Sequence, residues 1–416
     1  MSDSVRHDPA SSLLRNRNFL LFWSTQFVSL FATSYYMIVL PLWIYRATGS
    51  YLHVGAMATV GSVVFILFSI YAGVFVDRHD KRRILVASDL IRAVLVLPML
   101  LVSSVDSIYI AYIAAAATGA ATAFFVPSQN HLITAVAGSG GLRRANALLH
   151  FSYSATLVIG PIAGGLAVSG FGYQVSFFAN ALSFVIGALG SFLVTLPAEP
   201  PAPAGRRPSY LDDARAGFRF VIRDGVLRRV MISQAIVFIG SGANATLFVL
   251  HLRSIGPAGI GIYMSAQGAG MLVASTVLSL SDRGEKASVR AIAYCGLALG
   301  VTLALFAWLT PQHLVVGTAT IFTFGIALTV YGVETRTALQ AFSPKELLGR
   351  VTAVATLISR GGAAVSILMG SALAAAVQPK GAIICCGAMI FAGFVLLLFG
   401  TRTPVAPEMR LSSAGS

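Results

Sequence analysis

Residues 73–83 read GVFVDRHDKRR, a short charged segment between two long apolar runs. A glycine four residues before an acid allows two helices to approach closely where the chain turns. The acid is followed by cations at a helix boundary, where it can pair with arginine or face a helix N-terminus. The segment therefore predicts either a solvated loop or a gate that charge pairing closes, formed by Gly73, Asp77, Arg78, Arg82 and Arg83.

The sequence around this segment is too apolar for a soluble protein. Of its 416 residues, 56% are hydrophobic and 11% are charged, whereas soluble domains are about 45–50% apolar and about a quarter charged. A membrane helix needs about 20 mostly apolar residues. We predict an all-α membrane protein with about twelve transmembrane helices in two pseudo-symmetric six-helix bundles. The predicted spans are 19–45, 52–76, 84–105, 107–127, 147–168, 174–196, 230–252, 258–280, 291–310, 313–333, 351–377 and 381–400.

A polar stretch separates the two sets of spans and opens with PAEPPAPAGRRP at residues 197–208. Residues 209–223 then place apolar side chains on one helical face, which predicts an amphipathic helix on the membrane surface. A linker that is disordered throughout is the alternative. The predicted divisions are a cytoplasmic N-terminal tail (1–18), a first bundle (19–196), a cytoplasmic linker (197–229), a second bundle (230–400) and a cytoplasmic C-terminal tail (401–416).

The net charge of +14 comes from lysines and arginines, and their distribution along the chain predicts the topology. With the N-terminus in the cytoplasm, 24 of the 29 lysines and arginines lie on that side and three on the other. This positive-inside pattern predicts a multi-pass protein of a bacterial cell membrane, with both termini cytoplasmic and anionic lipid as partner. It supplies no groove-reading element for nucleic acid. The three cysteines lie in apolar runs without zinc-like spacing, so they predict no metal site. We also expect no cofactor, and we expect the protein to be a monomer.

The two halves of the chain repeat at a nearly constant offset. Similarity at half the chain length indicates a duplicated six-helix unit. Parallel duplication around a central site is an architecture of alternating-access transporters. By this repeat, Asp282, Arg283 and Arg350 join the predicted gate. The matched pairs are Asp77-Arg78 with Asp282-Arg283, Leu142 with Leu348, Arg144 with Arg350, Ala147 with Ala353, and Gly164 with Gly370.

Several stretches resemble the major facilitator superfamily over about residues 11–400. Residues 73–83 resemble its signature loop. LLRNRNFLLFWSTQFVSLF (13–31), LPLWIYRATGS (40–50), RRANAL (143–148), IGPIAGG (159–165) and LLGRV (347–351) resemble its macrolide-efflux-like branch of drug:proton antiporters. The resemblance implies the major facilitator fold, and it implies that Asp77 and Arg78 stabilise the outward-facing state. In the second half, Leu278 occupies the position of the loop glycine.

Span 5 carries the sequence Gly160-Pro161-Ile-Ala-Gly164-Gly165. Proline kinks a helix and glycines permit close packing, so a packing kink is one interpretation. The segment also resembles the antiporter motif of exporters, although Thr156 stands where that motif begins with glycine. The resemblance implies a role in the direction of transport.

Ionisable residues inside a bilayer are costly and are candidates for function. Asp89 and Arg92 lie three residues apart in span 3, where they can pair near the predicted gate. Arg360 lies in the middle of span 11, where it reads an anionic substrate group or pairs with a residue that the sequence does not reveal. Related antiporters carry an acid in span 1 where this chain has Ala32-Thr33, so no proton carrier stands out. The candidates for it are Asp77, Asp89, His150 and Glu334.

Polar and aromatic side chains within the spans predict a central cavity for an amphipathic cargo. For each residue taken alone, packing between helices is the alternative. The candidates for substrate binding, with Arg360, are Gln26, Tyr35, Tyr36, Phe124, Tyr153, Gln234, Asn244, Gln267, Phe324 and Tyr331.

We therefore predict a secondary active transporter that exports amphipathic small molecules, a drug or a natural product, by alternating access. No P-loop for ATP is present, so we expect an ion gradient to drive transport. The resemblance to drug:proton antiporters implies the proton as the coupling ion. One rival is a metabolite or siderophore transporter on the same fold. The other is an intramembrane enzyme, for which the scattered ionisable residues supply no clustered catalytic groups.

Overall fold

The computed structural model describes residues 16–195, 210–280, 289–344 and 347–399. Within these ranges the chain forms helices and no β-strand, so the predicted all-α class is confirmed. Three short 3-10 segments, Leu97–Leu101, Val105–Ser107 and Arg253–Ile255, lie between helices. The helices are α1 (Arg17–Thr48), α2 (Tyr51–Arg78), α3 (Lys81–Val96), α4 (Ile108–Leu193), α5 (Tyr210–Arg223), α6 (Gly225–Ser241), α7 (Asn244–His251), α8 (Gly256–Leu280), α9 (Val289–Leu309), α10 (Leu314–Phe342) and α11 (Leu348–Phe399).

Nine stretches of the described residues are long and apolar enough to cross a membrane. Three of them are 43, 54 and 49 residues long, at least twice the length of about 20 residues that one crossing needs. Each of these three contains a residue with a left-handed backbone: Gly172 at φ 79°, Gly256 at φ 76° and Gln378 at φ 64°. Three double spans and six single ones are consistent with the twelve predicted helices of a multi-pass membrane protein.

Aspartates in the polar loops fix where two of the helices begin. The Asp80 carboxylate accepts hydrogen bonds from the backbone amides of Arg82 and Arg83, at 3.0 and 3.1 Å, and so caps α3. Asp224 caps α6 in the same way, accepting from two amides of its first turn at 2.9 and 2.8 Å. Because these amides have no partner inside their own helix, each cap satisfies donors that the turn would otherwise leave open.

Equivalent glycines join equivalent helices in the two halves. A methyl group added to Gly164 on α4 would lie 2.6 Å from the carbonyl oxygen of Tyr35 on α1. A methyl group added to Gly370 on α11 would lie 2.7 Å from the Cβ atom of Ala243, at the start of α7. In both places only a residue without a side chain allows the helices to pack this closely. This shared contact supports the duplication that the repeated sequence indicates.

The linker contains the helix α5, which lies where the sequence predicts an amphipathic helix. A methyl group on its Gly217 would lie 2.6 Å from the carbonyl oxygen of Arg350, so α5 packs closely on the start of α11. Val221 is buried and Phe218 is exposed. Residues 196–209 lie outside the described residues, and the position of α5 at a membrane surface stays a prediction.

Candidate functional site

A cavity of about 480 Å³ lies between the helices of the first half and α11 of the second. Helices α1 to α4 form most of its wall, and α11 contributes Arg360 and Ala363. A volume of about 300–1,000 Å³ with an apolar wall and a few polar groups is typical of sites for drug-sized ligands. The polar uncharged groups of the wall are those of Thr33, Tyr36, Ser62, Thr118, Thr122 and Asn180.

Two of the eleven predicted substrate-binding residues, Tyr36 and Arg360, line this cavity. Others make contacts within the protein: Gln26 accepts a hydrogen bond from Gln129 at 2.8 Å, and the hydroxyl of Tyr331 lies 3.1 Å from that of Ser233. Substrate contact by the residues outside the cavity wall stays a prediction. They are Gln26, Tyr35, Phe124, Tyr153, Gln234, Asn244, Gln267, Phe324 and Tyr331.

Asp89 and Arg92 form a buried ion pair on α3 at the cavity wall. Arg92 donates from Nη2 to Oδ1 of Asp89, which has no exposed surface. The guanidinium also lies between the rings of Phe125 and Phe184, 3.8 and 4.6 Å from their centres. Oδ2 of Asp89 has no hydrogen-bond partner among the described residues. The pairing that the sequence predicts is present, and its role in gating stays a prediction.

Breaking this ion pair is expected to destabilise the protein more than replacing both of its members. Removing one partner of a buried pair leaves an uncompensated charge and costs about 3–5 kcal/mol. We expect Asp89→Asn and Arg92→Gln each to lower the thermal unfolding temperature, and the double variant to recover much of the loss. Thermal unfolding of the four proteins in one detergent measures this coupling. Additive effects of the two substitutions would contradict it.

Arg360 is the second cation at the cavity wall. It is exposed, and its guanidinium lies 4.4 Å from the centre of the Phe65 ring on α2. Among the described residues it has no hydrogen-bond acceptor and no carboxylate partner. The sequence leaves two roles open for Arg360, binding an anionic substrate group or pairing with another residue. Within the described part of the protein, the structure supplies no ionic partner for the pairing role.

The glycines predicted to form an antiporter motif face two different neighbours. Gly160, like Gly164, lies against α1. Gly165 faces the second half, because a methyl group added to it would lie 2.8 Å from the carbonyl carbon of Pro257 on α8. In the same contact, a methyl group on Gly261 would lie 2.5 Å from the carbonyl oxygen of Pro161. The motif thus packs α4 closely against α8 across the two halves.

Polar and aromatic contacts join the halves at the same end of the bundle. The Tyr51 hydroxyl, at the start of α2, lies 3.3 Å from Oε1 of Gln378 at the break in α11. The guanidinium of Arg253 lies 5.1 and 5.4 Å from the ring centres of Tyr45 and Tyr51. These two rings stack with centres 4.9 Å apart. This cluster of four side chains, hereafter the closure cluster, lies opposite the charged loop between α2 and α3.

The charged loop is held to the end of α4. Arg82 donates from Nη1 to the carbonyl oxygen of Val194 at 2.9 Å, and its guanidinium lies 5.2 Å from the centre of the Phe192 ring. Nε of Arg83 lies 3.4 Å from Oδ2 of Asp80 on the surface. Arg82 therefore contacts its own half.

The structure describes only some of the other residues of the predicted gate. Arg78 is exposed at the end of α2, and Gly73 is half-buried. The side chain of Asp77 lies outside the described residues, and so do Asp282 and Arg283. The gate stays a prediction.

The sequence does not identify two residues of the site, Phe65 and Gln378. Phe65 is one of 26 phenylalanines, and Gln378 sits in a short loop between two predicted spans. What singles them out is a neighbour from the other half, Arg360 for the first and Tyr51 for the second. Composition and spacing describe one helix at a time, so they do not reveal contacts between helices about 300 residues apart.

Comparison with known proteins gives a consistent result. The model of the Major Facilitator Superfamily matches residues 22–366. The chain is 21% identical to macrolide efflux protein A of Streptococcus pyogenes over 80% of this chain and 83% of that protein. It is 24% identical to the multidrug efflux pump Tap of Mycolicibacterium fortuitum, over 81% and 84%, and 24% identical to the enterobactin exporter EntS of Shigella flexneri, over 90% and 89%.

Solved structures agree on the fold. The crystal structure of the nucleoside transporter NupG superposes with a TM-score of 0.76 at 12% identity, covering 93% of this chain and 100% of that one.

Proposed function

Because the chain belongs to the major facilitator superfamily, we propose that this multi-pass transporter exports amphipathic small molecules by alternating access. The superfamily resemblance predicted from residues 73–83 is thereby confirmed. The observation that carries the proposal is the cavity, which takes its wall from both halves of the chain and lies beside contacts that join those halves at one end. A transport cycle needs these contacts to break while others form at the opposite end.

The proposed direction is export. The similar proteins are named for macrolide efflux, multidrug efflux and enterobactin export. The motif around Pro161, which resembles that of exporters, forms part of the contact between the halves. An apolar cavity wall with six uncharged polar groups suits a cargo that is itself amphipathic.

We propose a cytoplasmic membrane location, with both termini inside the cell and the basic loops near anionic lipid. In this orientation the closure cluster faces outward. The described arrangement then corresponds to a state that is closed towards the outside. We also propose that the monomer is the transporting unit.

The proposed coupling ion is the proton, with Asp89 as its carrier. Asp89 is fully buried beside a cation that lines the cavity. Protonation would leave Arg92 without its counter-charge, so the two protonation states differ by one charge at the wall. Antiport requires Asp89 to be ionised in the cargo-loaded form and protonated on the return. The side chains of two other candidates, Asp77 and His150, lie outside the described residues, and the third candidate, Glu334, lies near the end of α10.

Proteoliposomes test the export proposal directly. Purified protein is reconstituted, and efflux of labelled amphipathic compounds is followed under a pH gradient and, separately, under a membrane potential. We expect efflux above that of protein-free liposomes, with acceleration by the pH gradient. Efflux that ignores the pH gradient would remove proton coupling and leave transport in place. Efflux no faster than in protein-free liposomes, across a panel of compounds, would contradict the proposed function.

A further inference from the structure

The charge of the cavity wall constrains the cargo. Among the described residues that line the cavity, Arg92 and Arg360 carry charge, and no carboxylate is among them. Arg92 is 7% exposed and is neutralised by Asp89 behind it. Arg360 is exposed and meets no acid in the described part of the chain. The wall therefore presents one positive charge that the described residues do not balance.

A guanidinium in the middle of a membrane span is unfavourable when no ligand balances its positive charge. Charged side chains within membrane spans normally pair with one another or line a pathway for a substrate or ion. The Phe65 ring 4.4 Å away offers a cation–π contact, which is weaker than an ion pair. This contact holds the guanidinium at the wall and does not cancel its charge.

Arg360 has no hydrogen-bond acceptor among the described residues, so its donors are available to a ligand. The Cζ atom of Arg360 lies over the Phe65 ring, and a guanidinium carries five N–H groups in a planar fork. Two of them form a fork that matches a carboxylate, sulfonate or phosphate. The cavity that Arg360 lines, of about 480 Å³, gives room for a ligand group.

We propose that the cargo is an amphipathic organic anion, whose acidic group is bound by Arg360 while its apolar body lies along Met57, Phe65 and Leu95. This proposal rests on the proposed export function and narrows its cargo to one charge class. Amphipathic cations are disfavoured, since the described wall offers them no carboxylate and repels them through Arg360.

Three dansyl compounds of similar size test the charge preference. Dansylglycine is an anion, dansylamide is neutral, and N-(2-aminoethyl)dansylamide is a cation at neutral pH. Their binding to the purified protein in phosphatidylcholine nanodiscs is measured by fluorescence. Since a hydrogen bond to a charged group is stronger than one between neutral groups, we expect dansylglycine to bind about tenfold or more tightly than the other two compounds. Equal affinities, or tighter binding of the cation, would overturn the proposal.

Substitution of Arg360 locates the preference. Arg360→Gln is expected to weaken dansylglycine binding about tenfold and to leave dansylamide within about twofold, whereas Arg360→Lys retains part of the anion preference. Arg46→Gln is the matched control, because Arg46 also lies over an aromatic ring, at 5.6 Å from the centre of Tyr173, but does not line this cavity. An unchanged affinity of Arg360→Gln for the anion would overturn the assignment.

Two further arms separate the alternatives. If an anionic lipid head group is the natural partner of Arg360, phosphatidylglycerol in the nanodiscs will weaken dansylglycine binding about tenfold in the wild type, and the cargo proposal fails; unchanged binding supports it. Efflux of the same compounds from proteoliposomes separates the cargo proposal from the export function. Binding that depends on Arg360 without efflux would defeat export alone, and efflux indifferent to charge would defeat the anion proposal alone.

Discussion

Replacing Gly165 by alanine is expected to reduce the initial export rate by roughly tenfold to a hundredfold. The added methyl group would lie 2.8 Å from the carbonyl carbon of Pro257 and 3.0 Å from the Cα atom of Ala258. These are backbone atoms, which cannot rotate away, so the two halves must move apart at this end. Overpacking of this kind costs about 1–3 kcal/mol. A cost of this size lowers the population of the closed state roughly tenfold to a hundredfold. Initial rates in proteoliposomes at equal protein content measure the effect.

Gly170→Ala is the control for this prediction. Gly170 lies further along α4, and a methyl group added to it would meet no atom within 4 Å among the described residues. Its export rate should equal that of the wild type. If Gly165→Ala transports as fast as Gly170→Ala, close packing of α4 on α8 has no part in the cycle.

A covalent link across the closure cluster is expected to stop export completely and reversibly. Cysteines in place of Tyr51 and Gln378 would lie in different halves, at side chains whose polar atoms are 3.3 Å apart. The native Cys295, Cys385 and Cys386 are first replaced. A short thiol-reactive cross-linker with a cleavable disulfide would then join the two introduced cysteines. The outward end could then not open, and cleavage by a reductant should restore the rate.

The control for the link joins two residues of one half. His53 and Tyr112 are 2.8 Å apart through Nδ1 and the hydroxyl, and both lie in the first half. A link between cysteines at these positions leaves the halves free to move, so we expect export to continue. Export that persists with Tyr51→Cys and Gln378→Cys linked would show that this end of the bundle stays closed throughout transport.

The sequence predicts the fold well because the bilayer imposes a strong and simple constraint. Backbone amides without water require helices of about 20 apolar residues, and such runs are visible one segment at a time. The breaks at Gly172, Gly256 and Gln378 fall between predicted spans. A further pair of repeated glycines, Gly119 and Gly325, is recognised only in the structure, where each lies against the backbone of a neighbouring helix.

The candidate site is predicted less completely than the fold. A polar residue in a membrane span avoids lipid, which leaves it free to face either the cavity or another helix. Tyr36 faces the cavity, whereas Tyr331 lies beside Ser233 in the second half. The difference depends on the rotation of each helix and on its neighbours. Arg360 is recognised from its charge alone, because a charged side chain inside a membrane span is costly and is a candidate for function.

An anionic cargo would also allow the membrane potential to contribute to the driving force for export. Span 1 has Ala32 and Thr33 at the place where the family resemblance predicts an acid, so the sequence offers no proton carrier there. A membrane potential that is negative inside favours outward movement of an anion by about 2.3 kcal/mol per charge for each 100 mV. The potential therefore contributes to export whether or not Asp89 carries a proton. Separate control of the pH gradient and the potential in proteoliposomes measures the two contributions.

Distances between spin labels test most directly whether the two halves rock about one cavity. Labels at Leu52 and Ala376 report on the end with the closure cluster, and labels at Tyr71 and Leu357 report on the opposite end; all four residues are exposed. On addition of a transported compound, we predict that the two distance distributions change in opposite directions, one pair separating as the other approaches. Distributions that stay fixed, or that change in the same direction at both ends, would contradict alternating access in this protein.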